Sequence, residues 1–236
     1  AFMKGRLHHA WLIIGPRGVG KATLAWRIAR FLLASPAQDP SDVFGTLSPK
    51  NLDIDPEHPV AKRVAAGSEP RLKFLHRTIN EKTKRLRDQI ITDDVRSMAN
   101  FFNMSATDGG RRIVIIDAAD NLNPNAANAL LKMLEEPPER TTLLLICHQP
   151  TRLLPTIISR CRTLRLKKLT IDQTALAVAQ AGFSATSAGA ALAELSSGSV
   201  GDALRLSLYD GLKKYNEIIT IFGSMPNLDR SRVLAL

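Results

Sequence analysis

Short runs of continuous apolar residues recur along the chain, at residues 11–14, 113–116 and 143–147. Runs of this length without polar alternation are typical of strands that are buried on both faces of a parallel sheet. Segments with apolar residues at helical spacing alternate with these runs, at residues 22–34, 92–104 and 123–134. Strands that alternate with helices predict a parallel α/β sheet with right-handed crossovers, and Leu72–His76 predicts one more strand.

The character of the chain changes after Lys168. Residues 170–208 contain no strand-like run but are dense in alanine, leucine and serine, which indicates a small helical domain. The predicted organisation is an α/β domain over 1–168, an all-α domain over 169–208 and the start of a further helical domain over 209–236. Because the chain begins without methionine and ends in a helical pattern, we expect it to be a fragment of a longer protein.

The 236 residues suffice for one or two domains with a substantial core, and 44% of them are hydrophobic, as in globular proteins. No apolar run approaches the roughly 20 residues that span a bilayer, and no signal-peptide pattern follows Ala1. The two cysteines, Cys147 and Cys161, lack the spacing of a metal site. We therefore expect a reduced cytoplasmic protein without membrane contact.

Much of the net charge of +10 lies between residues 61 and 88, where nine lysines and arginines accompany three acidic residues. Such a block fits a polyanion-binding surface. It also fits a solvated loop and helix face, and the presence of a single aromatic residue, Phe74, favours that second interpretation. Residues 35–60, rich in proline, aspartate and serine, predict a loop.

Residues 15–22 read Gly-Pro-Arg-Gly-Val-Gly-Lys-Ala, which is a phosphate-binding loop except for its last residue. In the pattern G-x-x-x-x-G-K-[ST], the glycines let backbone N–H groups close around a phosphate, and the lysine reaches the outer phosphates. These residues are Gly15, Gly18, Gly20 and Lys21. The final serine or threonine of the pattern holds Mg²⁺, but this chain has Ala22 there, and the adjacent Thr23 is out of register.

A phosphate loop needs a carboxylate at the end of a neighbouring strand to fix Mg²⁺, and Asp117 is that residue by position. Hydrolysing proteins usually place a glutamate directly after it to orient the attacking water, whereas this chain has Ala118. Two catalytic groups are thus missing from a binding scaffold that is otherwise present. The pattern predicts a protein that keeps the fold, has given up efficient hydrolysis, and binds ATP or ADP weakly or not at all.

Residues 128–138 and 153–161 closely resemble the clamp-loader ATPases of the AAA+ class, and residues 7–10 match the segment that enters their first strand. The resemblance covers residues 6–208. It implies a RecA-like AAA+ sheet flanked by helices, followed by a small all-α lid and then by a helical collar. The degenerate nucleotide motifs are most similar to the bacterial loader subunit that does not hydrolyse ATP efficiently.

The same resemblance implies that Arg160 is an arginine finger for the ATP site of a neighbouring subunit, with Ser159 and Cys161 shaping the turn that presents it. A fixed guanidinium stabilises charge on the transferring phosphoryl group and can raise the rate by about 10³- to 10⁵-fold. The catalytic group predicted in this chain therefore acts on a site that belongs to another chain.

The chain departs from the family at three places. His148 and Gln149 replace the polar sensor that follows the strand at 143–147, and Gly201 stands where an arginine is usual, with Arg205 one helical turn further on. Many relatives carry a four-cysteine zinc module after the first helix. Because residues 35–60 contain no cysteine, no zinc is expected in this chain.

The resemblance implies the function of a largely non-hydrolysing stator in a hetero-oligomeric ring. The complete ring would use ATP to open a sliding clamp and place it on primed DNA during replication, as part of a DNA-directed DNA polymerase (nucleotidyltransferase) holoenzyme. Two alternatives stay open at this point. One is an active AAA+ ATPase of the helicase-loader or motor type, and the other is a DNA-binding module that uses the basic segment 61–88.

Overall fold

The computed structural model describes residues 7–35, 51–103, 110–183 and 187–225. The described residues form two compact units. The first contains the residues as far as Gly15 and from Lys21 to Leu166, and the second contains Pro16–Gly20 and the residues from Lys167 onward. The domain boundaries expected at 168 and 208 stay predictions.

A parallel sheet with the strand order β2-β3-β4-β1-β5 forms the centre of the first unit. The strands are β1 (Ala10–Ile14), β2 (Leu72–His76), β3 (Arg112–Asp117), β4 (Thr141–Cys147) and β5 (Arg162–Arg165). The four strands predicted from the sequence, three of them from apolar runs, are confirmed. The apolar pattern does not predict β5, because this edge strand reads Arg-Thr-Leu-Arg and three of its four residues are exposed.

Helices connect the strands and continue into the second unit. In the first unit they are α1 (Lys21–Ala34), α2 (Pro59–Ala65), α3 (Thr92–Asn103), α4 (Pro124–Glu135) and α5 (Pro155–Arg160). The predicted helices that became α1, α3 and α4 are confirmed, whereas α2 begins inside the segment expected to be a loop. Met104, the last residue of the helix predicted over 92–104, lies outside the described residues, as do residues 36–50.

Local signals explain where several helices begin. The Asn123 side chain accepts a hydrogen bond from the Ala126 N–H, and Pro124 follows as the first residue of α4. A proline at this position lacks only an N–H that the helix leaves unsatisfied. His58 caps α2 in the same way, through its ring nitrogen and the Val60 N–H.

Each face of the sheet is covered by a different set of helices. Alternate residues of a strand point to opposite faces, so Val114 and Ile116 pack with α3, α4 and α5, while Ile113 and Ile115 pack with α1 and α2. Burying each such side chain stabilises the fold by about 1.5–3 kcal/mol. Because both faces are covered, the carboxyl edge of the sheet is left to carry the loops that hold polar residues.

The second unit is built from α6 (Ile171–Gln180), α7 (Ser187–Leu195), α8 (Val200–Leu208) and α9 (Gly211–Gly223). A small core of Val178, Leu192 and Ala203 lies among its helices. The helical character predicted for residues 170–208 is confirmed. No helix among the described residues is long and apolar enough to cross a membrane.

Candidate functional site

The glycine loop leaves β1 and ends at the start of α1, as the motif requires. Gly18 (φ +74°) and Gly20 (φ +90°) adopt the left-handed backbone conformation, which other residues rarely take. Lys21 is the first residue of α1 and only 4% exposed, and its Nζ donates a hydrogen bond of 2.7 Å to the Gly15 carbonyl. The loop therefore has the backbone turn of a phosphate cradle, with its lysine folded onto the loop.

The position that should supply a hydroxyl to Mg²⁺ is apolar. Ala22 is half-buried against the sheet face that α1 covers. Thr23 is exposed on α1, about 100° further around the helix. The residues of the loop fit a phosphate, but they lack the hydroxyl that fixes the metal of a hydrolysable Mg²⁺–nucleotide. A contribution of Thr23 to nucleotide binding stays a prediction.

Asp117 is the last residue of β3, and its carboxylate interacts electrostatically with Lys21. Its role in fixing a metal stays a prediction. Burial, together with repulsion from Asp120, raises the pKa of Asp117, and this outweighs the electrostatic interactions with His148, Lys21 and His76, which lower the pKa. The next residue, Ala118, is buried and apolar. No carboxylate therefore stands directly after Asp117 to orient a water.

Asp120 is a site residue whose role the sequence does not reveal. It is buried, and its Oδ1 accepts a hydrogen bond of 2.9 Å from the His148 N–H, just after β4. Burial, together with the nearby Asp120 charge, raises the pKa of the Cys147 thiol to about 12. Asp120 thus joins the loop after β3 to the end of β4. The sequence offers one hint of this role: Asp120 is an acidic residue that directly follows two alanines, Ala118 and Ala119.

Within the second unit, the tip of the glycine loop contacts the start of α8. The Gly18 carbonyl accepts a hydrogen bond of 3.0 Å from the Gly201 N–H. A Cβ on Gly201 would lie 3.0 Å from the Gly18 Cα, and one on Gly18 would overlap the Ser199 hydroxyl. A side chain at position 201 would therefore crowd the backbone of Gly18.

Arg205 forms an ion pair with Asp202, one turn earlier on α8. The pKa of Asp202 is lowered by hydrogen bonds, first from Ser199 and then from Arg205. Arg205 also lines an open cleft of about 900 Å³ together with the loop residues Pro16 and Arg17. Whether Arg205 replaces the arginine that the resemblance leads one to expect at position 201 is not decided by this ion pair.

Arg160 is the last residue of α5, so it is presented by a helix end rather than by the expected turn. Its Nη1 donates to the Thr156 carbonyl at 3.0 Å, and its Nη2 forms an ion pair with Glu135 Oε1 at 2.8 Å. The Ser159 hydroxyl donates to the same Thr156 carbonyl at 3.1 Å. Cys161 packs on the core beneath, where burial raises the pKa of its thiol to about 12.

The helix end that carries Glu135 is itself held in place. His9 Nε2 donates a hydrogen bond of 3.1 Å to the carbonyl of Leu134, the residue before Glu135 in α4. Burial and the neighbouring His8 lower the pKa of His9.

Residues 7–35, 51–103, 110–183 and 187–225 contain no group of three or more His, Cys, Asp or Glu side chains arranged to hold a metal ion.

A glycine loop after the first strand of a parallel sheet, a buried lysine that opens the next helix, and a carboxylate at the end of a nearby strand define a P-loop protein of the RecA-like AAA+ class. The RuvB Holliday junction branch migration motor of Thermotoga maritima is similar in fold, with a TM-score of 0.51 and 17% sequence identity. The likeness covers 99% of this chain and 62% of RuvB. At this identity it shows the fold alone.

The chain belongs to the family described as DNA polymerase III, delta subunit, whose family model matches residues 1–170. It is 41% identical to the delta-prime subunit of Pseudomonas aeruginosa, over 65% of this chain and 41% of that subunit. It is 33% identical to delta-prime of Escherichia coli, over 82% of this chain and 56% of that subunit. It is also 30% identical to Escherichia coli tau, over 72% of this chain and 23% of tau.

The resemblance to the loader subunit with degenerate motifs is thus confirmed, since that subunit is delta-prime. The chain spans 41% of the Pseudomonas aeruginosa subunit and 56% of the Escherichia coli subunit.

Proposed function

We propose that this chain is the stator of a clamp loader: it hydrolyses little ATP itself and lends Arg160 to the ATP site of a neighbouring subunit. Its relatives are named as delta-prime, tau and gamma subunits of DNA polymerase III, which supports a hetero-oligomeric loader. In the proposed role, the assembled loader opens a sliding clamp and places it on primed DNA during replication.

The chemistry of the chain's own site supports the absence of efficient turnover. Hydrolysis needs a metal-fixing hydroxyl and a group that orients water, and the chain has Ala22 and Ala118 at these positions. A cradle with Lys21 and Asp117 remains, so weak binding of ATP or ADP is compatible with the proposal. No hydrolytic step at this site is part of it.

The observation that carries the proposal is the presentation of Arg160. The side chain is 36% exposed, and a hydrogen bond to the Thr156 carbonyl and an ion pair with Glu135 hold its guanidinium in one orientation. A guanidinium that is oriented before it meets a triphosphate loses less entropy on binding. It can then stabilise the negative charge that develops on a phosphoryl group in transfer.

The test is a reconstituted loader in which only one ATP site hydrolyses. The phosphate-loop lysine is replaced by alanine in every subunit except the one under study, and each neighbour is studied in turn. With the site served by this chain, Arg160→Ala is expected to lower kcat for DNA-stimulated phosphate release by about 10³-fold or more. Lys21→Ala is expected to change this kcat little, because the loop of this chain does not hydrolyse.

Arg152→Ala is the matched control, because Arg152 is another exposed arginine close to α5. It should leave kcat unchanged. An unchanged kcat with Arg160→Ala at every site would contradict the proposal. Turnover by the isolated chain that Lys21→Ala abolishes would instead support the alternative of an active AAA+ ATPase.

A further inference from the structure

A short β-ribbon, residues 78–87, follows β2 in the first unit and is fixed by its own hydrogen bonds. Ile79 and Leu86 form an antiparallel bridge. The Asn80 N–H donates to the Arg85 carbonyl at 2.9 Å, and the Arg87 N–H donates to the Thr78 carbonyl at 2.9 Å. The residues of the turn are held as well, since Asn80 Oδ1 accepts from the N–H groups of residues 82 and 83. The ribbon is therefore a defined surface rather than a loose loop.

The structure divides the basic segment 61–88 into a neutralised part and a free part. Arg63 and Arg71 each form an ion pair of 2.8 Å with the buried carboxylate of Glu69. Lys62 pairs with Glu57. These cations belong to the architecture around α2 and the start of β2, and their charge is largely compensated.

The cations of the ribbon are different. Lys82, Lys84 and Arg85 are exposed, and in the described part of the chain none of them forms an ion pair with a carboxylate. Arg87 donates to the Thr78 hydroxyl at 2.7 Å, at the base of the ribbon. Three exposed cations thus lie at the turn and on the second strand of the ribbon, beside one exposed carboxylate, Glu81.

One face of the ribbon is apolar and open to solvent. Ile79 is 62% exposed and Leu86 is 54% exposed. Residues directly opposite each other in an antiparallel bridge point to the same face, so these two side chains form one aliphatic patch. A patch of this kind between lysines and arginines is a surface that a partner with both charged and apolar groups would cover.

Both ends of the ribbon are attached near the carboxyl edge of the sheet. On one side it follows β2, whose last residue, His76, lies in register with Asp117 of β3. On the other side the buried Ile90 forms a parallel bridge with Leu122, and the Ile90 N–H donates to the Asn121 carbonyl at 2.8 Å. The ribbon thus emerges from the edge of the sheet that also carries Asp117.

We propose that the ribbon 78–87 binds DNA, with Lys82, Lys84 and Arg85 on backbone phosphates and the pair Ile79 and Leu86 against sugars and base edges. This inference rests on the proposed function, which brings primed DNA to the complex. Lysine and arginine supply most protein contacts to phosphates. A two-stranded ribbon also has the width of the major groove, and aliphatic side chains commonly lie against base steps.

The test measures DNA binding by the full chain through the fluorescence anisotropy of labelled single-stranded, duplex and primed oligonucleotides across a series of salt concentrations. The charge variant replaces Lys82, Lys84 and Arg85 with glutamine. Each lost phosphate contact reduces the slope of log K against log salt by about 0.9 for duplex or about 0.7 for single strands. The expected result is a slope smaller by about 2–3 and an affinity at least about tenfold lower at low salt.

The matched control removes the same charges elsewhere, by glutamine substitution of Arg165, Lys167 and Lys213, which are also exposed. It should retain most of the affinity and the original slope. A second variant, Ile79→Ser with Leu86→Ser, should weaken binding about five- to tenfold without changing the slope, because it removes apolar contact and no charge. Circular dichroism confirms that each variant is folded.

Three outcomes would overturn the proposal. In the first, the control lowers the affinity as much as the ribbon variant does, which would make net charge alone responsible. In the second, the full chain binds none of the oligonucleotides. In the third, the ribbon variant leaves DNA binding intact while it prevents assembly with neighbouring subunits, which would make the ribbon a protein-binding surface. Since this measurement involves no ATP hydrolysis, its failure is distinct from a failure of the Arg160 test.

Discussion

At the scale of single residues, the Arg160 guanidinium depends on contacts from two helices. Its Nη1 bonds within α5 to the Thr156 carbonyl, and its Nη2 pairs with Glu135 at the end of α4. A half-exposed ion pair contributes little to stability. The ion pair instead sets the orientation of the guanidinium, because it limits the conformations of the long Arg160 side chain, whose proposed target lies on another subunit.

Glu135→Gln is therefore expected to weaken the proposed finger without weakening the fold. In the single-site loader, kcat should fall about tenfold, less than with Arg160→Ala, while KM for ATP stays unchanged. The reason is that the guanidinium remains present but samples more rotamers before it meets the phosphoryl group. Steady-state kinetics on the reconstituted loader provide the measurement.

Glu136→Gln is the control for this prediction, since Glu136 is the adjacent exposed carboxylate of the same helix end. Equal losses from both substitutions would show that only the local charge matters, and would remove the positioning role of Glu135. Thermal unfolding of both variants should give midpoints within about 1–2 °C of the unmodified chain.

Residue-scale expectations from sequence differ in how well they describe the site. Helix α1 begins at Lys21 and β3 ends at Asp117, and the Asp117 carboxylate interacts electrostatically with Lys21. Local spacing along the chain explains both positions, and the roles of these residues in nucleotide binding stay predictions. The close contact made by Gly201, by contrast, could not be predicted from sequence. Its backbone meets Gly18 at a distance that a side chain would disturb, and no local pattern reveals a contact between segments so far apart in the chain.

At the scale of elements, α2 and β2 are joined through one buried carboxylate. The Glu69 side chain is only 1% exposed and accepts hydrogen bonds from Arg63 of α2 and from Arg71 just before β2. Burial by itself would raise the pKa of Glu69, but the hydrogen bonds from Arg71 and Arg63 and the attraction of Arg71 leave it lowered. Arg63 and Arg71, which the sequence analysis includes in the basic segment 61–88, thus have a structural role.

Glu69→Gln is expected to reduce the free energy of unfolding by about 2–3 kcal/mol at neutral pH, because Arg63 and Arg71 both lose their ion pair with this buried carboxylate. The measurement is urea denaturation. Glu57→Gln, which removes the exposed partner of Lys62, should change the same free energy by about 0.5 kcal/mol or less.

The same pair of variants tests the dependence on pH. Because the pKa of folded Glu69 lies below that of an unfolded glutamate, its contribution is fully present above the ordinary glutamate range. It is lost as the pH falls through the pKa of the folded state. The stability difference between the unmodified chain and Glu69→Gln should therefore shrink on acidification. A difference that stays constant down to low pH would contradict the role assigned to this carboxylate.

The secondary elements show why patterns predict some strands and miss others. Buried strands such as β3 and β4 are continuous apolar runs, because helices cover both of their faces. The edge strand β5 has little to bury, so its composition carries no such signal. The ribbon 78–87 has the same difficulty, since two exposed apolar residues among charges do not form a period.

At the scale of the whole molecule, the three positions where the sequence analysis expects a missing catalytic group lie on separate segments of the chain. Ala22 lies on α1, Ala118 follows β3, and Gly201 lies on α8. Restoring one group should therefore restore only the function of that group. This separation allows metal binding to be tested apart from turnover.

Ala22→Ser is expected to raise the affinity of the chain for ATP about tenfold in the presence of Mg²⁺, because the new hydroxyl is the missing metal ligand. Turnover should stay undetectable, since Ala118 still offers no group to orient water. Isothermal titration with and without a chelator measures the difference. A gain in affinity that persists without Mg²⁺ would contradict the explanation.

The sequence by itself determined the parallel α/β architecture, the helical segment that follows it, the phosphate loop with its missing hydroxyl, and the strand-end carboxylate. Each of these features depends on a periodicity or spacing between residues that are close in the sequence, so the geometry of the backbone alone is enough to predict it. Only the tertiary structure decided that Glu135 holds Arg160, that Gly201 rests on Gly18, and that the basic segment divides into paired arginines and an open ribbon. These outcomes depend on which distant segments meet, because an ion pair or a close backbone contact exists only where folding brings its two partners together.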